Sequence, residues 1–211
     1  MKPRYDPRLF LGLTTSRTVQ SKLEACQAEI RKHLFNWHFI PPVNFHVTLH
    51  FIGEVSEVQI PQINEAMLKL GQRMSPFTLE WCGIDYFGQP DSASVMFVEA
   101  RPCQELTELA TSIAEIIPTT RPRKEYSPHI TLAKARKQME PETKELNANM
   151  LRRLREHNRI GPEPVKIEFN TVHREFILME TVWVGRVVSY EVRQRYPLGR
   201  SEIKPGGSDY F

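Results

Sequence analysis

His46-Val47-Thr48-Leu49 and His129-Ile130-Thr131-Leu132 repeat one four-residue pattern, His-x-Thr-Leu, 83 positions apart in a chain that holds seven histidines among 211 residues. Composition alone predicts on the order of 0.03 chance matches per chain, so two matches require a chemical reason. Two imidazoles, each with a hydroxyl two residues on, supply what opening a cyclic phosphate ester requires. One takes a proton from water, the other gives one to the departing oxygen, and the hydroxyls hold the phosphate. Imidazole titrates near pH 6.5, so close to neutrality one histidine can be protonated while its partner is neutral.

Side chains on a strand alternate between faces. His46 and Thr48 therefore share one face and His129 and Thr131 another, while Val47, Leu49, Ile130 and Leu132 point into the core and anchor each strand. His50 extends the first face by alternation, but the second copy carries Ala133 at the matching offset, so His50 is expected to be a packing or peripheral residue. A zinc site built on His46 and His50 would need a helix and a third ligand; neither is evident, and no metal is expected. Lys134, Arg136 and Lys137 follow the second motif and Arg121, Arg123 and Lys124 precede it. Such charges mostly form solvated faces, and Lys134 is the best placed of them to meet a phosphate. Phe45, Phe51 and Tyr126 are candidates for stacking on bases, although core packing is the commoner fate of an aromatic ring. His33, His38, His157 and His173 sit in helical, loop or turn contexts without partners and read as ordinary.

The elements that must position these groups come in a repeated order. Arg8 to Leu13 is a short buried strand, and Val19, Leu23, Cys26, Ile30 and Leu34 recur at helical spacing over about residues 18–35. Pro41-Pro42 blocks the helix, and the alternating run from Phe45 to Phe51 follows. After a second amphipathic helix (Ile60, Ile63, Met67, Leu70, Met74) and a strand from Phe77 to Tyr86, the opening theme returns. Ser94 to Glu99 is a strand, Leu106, Leu109, Ile113 and Ile116 mark a helix, and a proline-rich break leads into the strand of His129. Strand, helix and His-x-Thr-Leu strand thus occur twice, an internal repeat. A duplicated unit of this kind assembles most simply about a pseudo-two-fold axis, with both histidines in one cleft. Residues 136–163 are charged and helix-prone, read as a surface helix with a flap over the cleft as the alternative. Strands return at 165–169, 175–181 and 187–196. The domain is expected to span residues 1–199, with 200–211 a flexible tail.

Composition bounds the rest. The chain has 40% hydrophobic and 25% charged residues, an ordinary globular balance, and a net charge of +3 that suits an anionic ligand without a long basic arm. Cys26, Cys82 and Cys103 are odd in number and lack Cys-x-x-Cys spacing, so they read as reduced, buried thiols. No apolar stretch is long enough for a membrane helix, and no signal segment opens the chain. A cytoplasmic monomer is the expectation.

Several segments resemble the two-histidine (2H) phosphoesterases, and within them the RNA 2′,3′-cyclic phosphodiesterases, also called the 2′-5′ RNA ligase family. They are RLFLGL near the start, Pro-x-x-Asn-Phe-His-Val-Thr-Leu-His-Phe-Ile-Gly-Glu-Val around the first motif, Ser-Pro-His-Ile-Thr-Leu-Ala-Lys around the second, and the Phe-Ile-Leu, Tyr-Glu-Val and Tyr-Pro-Leu segments near the end. The resemblance implies an α+β, bilobal fold: two pseudo-symmetric lobes, each with an antiparallel sheet and helices, and the active-site cleft between them. It also implies hydrolysis of an RNA terminal 2′,3′-cyclic phosphate to a 2′-phosphate, with no metal and no cofactor. By the same resemblance His46 is the proton donor, His129 the proton acceptor, and Thr48 and Thr131 bind phosphate oxygens. Lys134 stands where relatives often carry arginine; lysine keeps the charge and loses the bidentate fork. The near-symmetric motifs do not themselves order acid and base. Besides RNA 3′ ends, a small cyclic nucleotide or a 2′-5′ oligoadenylate remains open as substrate, as do reverse ligation and a non-catalytic RNA-end binding module.

Overall fold

The computed structural model describes residues 6–118, 126–160, 167–185 and 187–199. Strand β1 (Arg8–Thr14) leads into helix α1 (Arg17–Arg31), then a short strand β2 (Trp37–Phe39) and the histidine strand β3 (His46–Glu54). Helix α2 (Ile60–Gly71), β4 (Phe77–Phe87), β5 (Val95–Ala100), α3 (Gln104–Ile116) and the second histidine strand β6 (His129–Ala135) follow. Helix α4 (Pro141–His157), β7 (Phe169–His173), β8 (Glu175–Val184) and β9 (Val187–Pro197) complete the order. The repeat expected from sequence is present as β1-α1-β3 and β5-α3-β6. Strand β2 and the strand context of His173 were not legible in the sequence.

The strands form one antiparallel sheet in the order β7-β4-β5-β6-β3-β1-β8-β9, with β2 pairing to β6 off this path. The midline between β6 and β3 relates the halves, since β5 flanks β6 as β1 flanks β3. The α+β architecture with two matched halves agrees with expectation, and the halves share a continuous sheet because β3 and β6 pair with each other through Val47 and Ile130.

Among the described residues the helices cover one face of the sheet. Val19, Leu23 and Ile30 of α1, Met67 and Leu70 of α2, Leu106, Leu109 and Ile113 of α3 and Leu151 and Leu154 of α4 pack with Val47, Leu49, Ile130 and Leu132 in one core. Burial of each such side chain contributes roughly 1.5–3 kcal/mol. Ser16 starts α1 by accepting a hydrogen bond from the backbone N of Val19, satisfying a donor that the first turn leaves free. Helix α4 is docked on the core rather than arching over the site. Its buried Asn147 accepts from Phe35 N and donates to Phe35 O, at 2.9 and 2.8 Å. Gly12 permits the close approach of β1 to β3: a Cβ there would lie 2.6 Å from the Val47 carbonyl oxygen. None of the helices among the described residues is long and apolar enough to cross a membrane. The three cysteines are unpaired and only partly buried, less than expected.

Candidate active site

Each histidine opens its strand, and each is oriented in the same way. Nδ1 of His46 lies 2.7 Å from the carbonyl oxygen of Asn44, and Nδ1 of His129 lies 2.7 Å from that of Ser127. A carbonyl oxygen only accepts, so Nδ1 carries the proton in both rings and Nε2 is the atom left for proton exchange. The turn Pro42–Asn44 sets the first of these geometries: Asn44 N donates to Pro41 O and Phe45 N to Pro42 O.

The pairing of Val47 with Ile130 decides which groups face each other. Continued one residue either way, that antiparallel register sets His46 opposite Thr131 and Thr48 opposite His129. Directly opposed residues have Cβ atoms about 5 Å apart. Each imidazole therefore lies beside the hydroxyl of the other motif, and the four side chains form one patch on the face away from the helices.

A matched pair of β-bulges completes the patch. Against β1, Gly12 pairs with Thr48 but Leu11 pairs with His50, so Leu49 is an extra residue on β3. Against β5, Phe97 pairs with Thr131 but Met96 pairs with Ala133, so Leu132 is an extra residue on β6. An extra residue reverses the alternation beyond it. The leucine of both motifs is thus the bulge, and the residue five places after each histidine is brought onto the site face. In β3 that residue is Phe51, whose ring lies 5.8 Å from Phe10, itself 5.0 Å from His46. In β6 it is Lys134, which simple alternation would have placed with Leu132. His50 is turned away by the same device, and its Nε2 lies 2.8 Å from the Ile117 carbonyl at the end of α3. The expectation of a packing role for His50 holds, on the opposite face from the one alternation assigned.

The bulge in β6 is held from behind. Buried Gln27 of α1 donates through Nε2 to the carbonyls of Leu132 and Ile40, each at 2.8 Å. Leu132 O also accepts from Ile40 N at 2.9 Å.

Aromatic rings wall both imidazoles. Phe10 and Tyr190 lie 5.0 and 4.8 Å from His46, and Phe87 and Phe97 lie 5.0 and 5.1 Å from His129. Burial pushes His46 down to about 4, helped by the positive charge of Lys134 and by His129, against the pull of the Asn44 carbonyl. Burial and Lys134 also lower His129, against the Ser127 carbonyl. Both imidazoles are thus held below their unperturbed value, which favours their neutral forms at neutral pH. An anion beside an imidazole favours its charged form.

The aromatic candidates separate cleanly. Phe45 is buried in the core, and Tyr126 donates to Thr48 O at 3.2 Å while packing on the core. Phe51 is 58% exposed. Arg136 and Lys137 are exposed, and Arg121, Arg123 and Lys124 lie outside the described residues. His173 is buried in β7 with Nε2 2.8 Å from Thr171 Oγ1. Among the described residues no three His, Cys, Asp or Glu side chains are grouped so as to hold a metal ion.

Sequence reasoning missed the rings of Phe10, Phe87 and Phe97, and with them Tyr190 and the role of Asn44. Tyr190 comes from β9, and Asn44 links that strand to the site. The Asn44 side chain is buried, and its Nδ2 donates to Val188 O at 2.8 Å across 144 positions of sequence. The Asn-Phe-His string marked Asn44, but no sequence pattern pointed to its partner.

The model of the 2′-5′ RNA ligase superfamily matches residues 19–157, which include both histidine motifs. The chain is 26% identical to an RNA 2′,3′-cyclic phosphodiesterase of Archaeoglobus fulgidus over 132 residues, 62% of this chain and 73% of that one. It is 30% identical to the Thermus thermophilus protein of the same name over 135 residues, covering 60% and 68% of the two chains. In fold it is similar to E. coli LigT, solved in complex with 3′-AMP, with a TM-score of 0.69 at 19% identity over 92% of this chain and 99% of that one. With the family match spanning most of the chain and both motifs inside it, the chain belongs to the 2′-5′ RNA ligase superfamily.

Proposed function

We propose that this protein hydrolyses the 2′,3′-cyclic phosphate at an RNA 3′ end to a 2′-phosphate. The relatives named RNA 2′,3′-cyclic phosphodiesterase support this activity. The observation that carries the chemistry is the register of β3 against β6, which gathers His46, Thr48, His129 and Thr131 into one patch. His129 Nε2 takes a proton from the attacking water as its oxygen bonds to phosphorus. The bond from phosphorus to the 3′-oxygen breaks, and His46 Nε2 delivers a proton to that oxygen. The proton on His46 is taken up when the anionic ester enters and favours the imidazolium, so substrate binding is coupled to proton uptake. Thr48 and Thr131 donate to the non-bridging oxygens, and Lys134 supplies the balancing charge. Phe51 offers an exposed ring to the base of the terminal nucleotide.

No metal or cofactor takes part in this scheme, and the protein acts as a monomer. Ligation of RNA ends is the same path run backward, disfavoured by the high concentration of water. The test is to incubate the protein with an RNA bearing a 2′,3′-cyclic end, in the presence of a chelator, and to locate the product phosphate. A 2′-phosphate is expected, with turnover lost in His46→Ala and His129→Ala. A 3′-phosphate would reverse the orientation, and turnover that survives both substitutions would remove the histidines from the reaction.

A further inference from the structure

Strands β8 and β9 outrun the sheet that supports them. β8 pairs with β1 only from Leu9↔Glu180 to Gly12↔Ile177. Beyond Glu180, residues 181–184 pair with 187–190 and, among the described residues, with no other strand, as a two-stranded arm. The arm reaches the site. The carbonyl of Val188 is bound by Asn44, whose own carbonyl orients His46, and Tyr190 places its ring edge on His46. All of it lies outside the segment matched by the family model.

The register shift between Leu178 and Met179 puts its extra residue, Arg193, on β9, so alternation along β8 sets Thr181 and Trp183 on the face that carries Ile177 and Met179. Those two residues pack with Phe10 and Tyr190 on the site side of the sheet. Trp183 therefore faces the same side as the histidines, paired across the arm with Val188, the residue tied to Asn44. Trp183 is 67% exposed. Tryptophan is seldom left so open without a partner to cover it. Two exposed aromatic residues thus share the side of the sheet that carries His46, Phe51 further along its own strand and Trp183 on the arm. Cations act on the groups between them: Lys134 on both imidazoles and Arg8 on Tyr190. Exposed aromatic rings interleaved with cations are what a single-stranded nucleic acid stacks upon. A cyclic mononucleotide has one base and can occupy one platform; filling both takes a chain of at least two nucleotides.

We infer that Trp183 stacks on a nucleobase upstream of the terminal cyclic-phosphate nucleotide, so that the β8–β9 arm selects an RNA chain over a mononucleotide. The inference rests on the reading of the His46 and His129 cleft as the site for a cyclic phosphate end. The experiment compares kcat/KM for a short single-stranded RNA with a 2′,3′-cyclic end against kcat/KM for a 2′,3′-cyclic mononucleotide. It uses the unaltered protein, Trp183→Ala and Trp183→Phe. Truncation of a stacked aromatic predicts a loss on the order of tenfold for the RNA, chiefly in KM, in Trp183→Ala. Mononucleotide turnover stays unchanged, and Trp183→Phe retains most of the RNA activity. Equal losses on both substrates would make Trp183 a structural residue and overturn the inference. An unaffected RNA rate would do the same, leaving the arm for another occupant such as a protein partner. If the unaltered protein turned over neither substrate, the reading of the cleft would fail, and this inference with it.

Discussion

Acidification from pH 7 towards 5 should destabilise this protein through its histidines. Burial holds His173 and His46 down to about 4, and His129 is lowered as well. In the unfolded chain each titrates near 6.5. Below that value the unfolded state binds protons that the folded state refuses, so stability falls as pH falls and levels off only near the folded pKa. The slope is about 1.4 kcal/mol per pH unit for each such histidine. His173 is 8% exposed, and its span from 6.5 to about 4 corresponds to roughly 3 kcal/mol in full. His46 is more open to solvent and adds a smaller amount. Against a total of about 5–15 kcal/mol for a domain, this is a large fraction. The exposed carboxylates Glu29, Glu65 and Glu105 are held below their ordinary range by their hydrogen bonds. Their titration therefore lies below pH 4.5, and the window from 6.5 to 5 belongs to the histidines. Urea unfolding followed by tryptophan fluorescence at half-unit steps would measure the slope, and His173→Gln should remove about one histidine's share of it. A flat profile between pH 6.5 and 5, or an unreduced slope in His173→Gln, would refute the argument.

Lys134→Met removes both a phosphate partner and the charge that opposes imidazolium formation. KM for a cyclic-phosphate substrate should rise on the order of tenfold, the scale of a charged hydrogen bond. The acid limb of kcat/KM should move to higher pH, and a limb that stays put would mean that Lys134 does not act on the histidines. Gln27→Leu strips a donor from the carbonyls of Leu132 and Ile40 and should cost about 1–3 kcal/mol in denaturant unfolding. It should also weaken phosphate binding by loosening the bulge that aims Lys134. His50→Ala should cost about 1 kcal/mol from the lost contact at the end of α3 while leaving turnover unchanged; a fall in kcat would place His50 in the reaction.

Much of the site was legible because strand alternation is a local property. His46 with Thr48, and His129 with Thr131, share faces in any β-strand, and the buried residues between them read directly as anchors. The strand–helix–strand repeat was equally local, because hydrophobic periodicity needs no partner to be recognised. The helix over residues 136–163 was placed, but not its docking: Met150, Leu151 and Leu154 appear in a heavily charged stretch and take their role only from the core that receives them.

Beyond the bulges the alternation rule broke down in both motifs, and for one reason. Nothing in the letters of β3 says that Leu49 is an extra residue, since a bulge is defined by the count on the neighbouring strand. His50 was accordingly assigned to the wrong face, and the equivalence of Phe51 and Lys134 went unseen. The preference of both histidines for the neutral form depends on burial by Phe10, Tyr190, Phe87 and Phe97, which come from four other strands. The identity of the chemical groups, their pairing within each motif and the duplication were determined by the sequence itself. The meeting of the motifs in one antiparallel register, the choice of Phe51 and Lys134 as their companions, and the arm held by Asn44 were decided only by tertiary structure. Such relations are set by packing and hydrogen bonding between strands far apart in the chain, and no local periodicity encodes them.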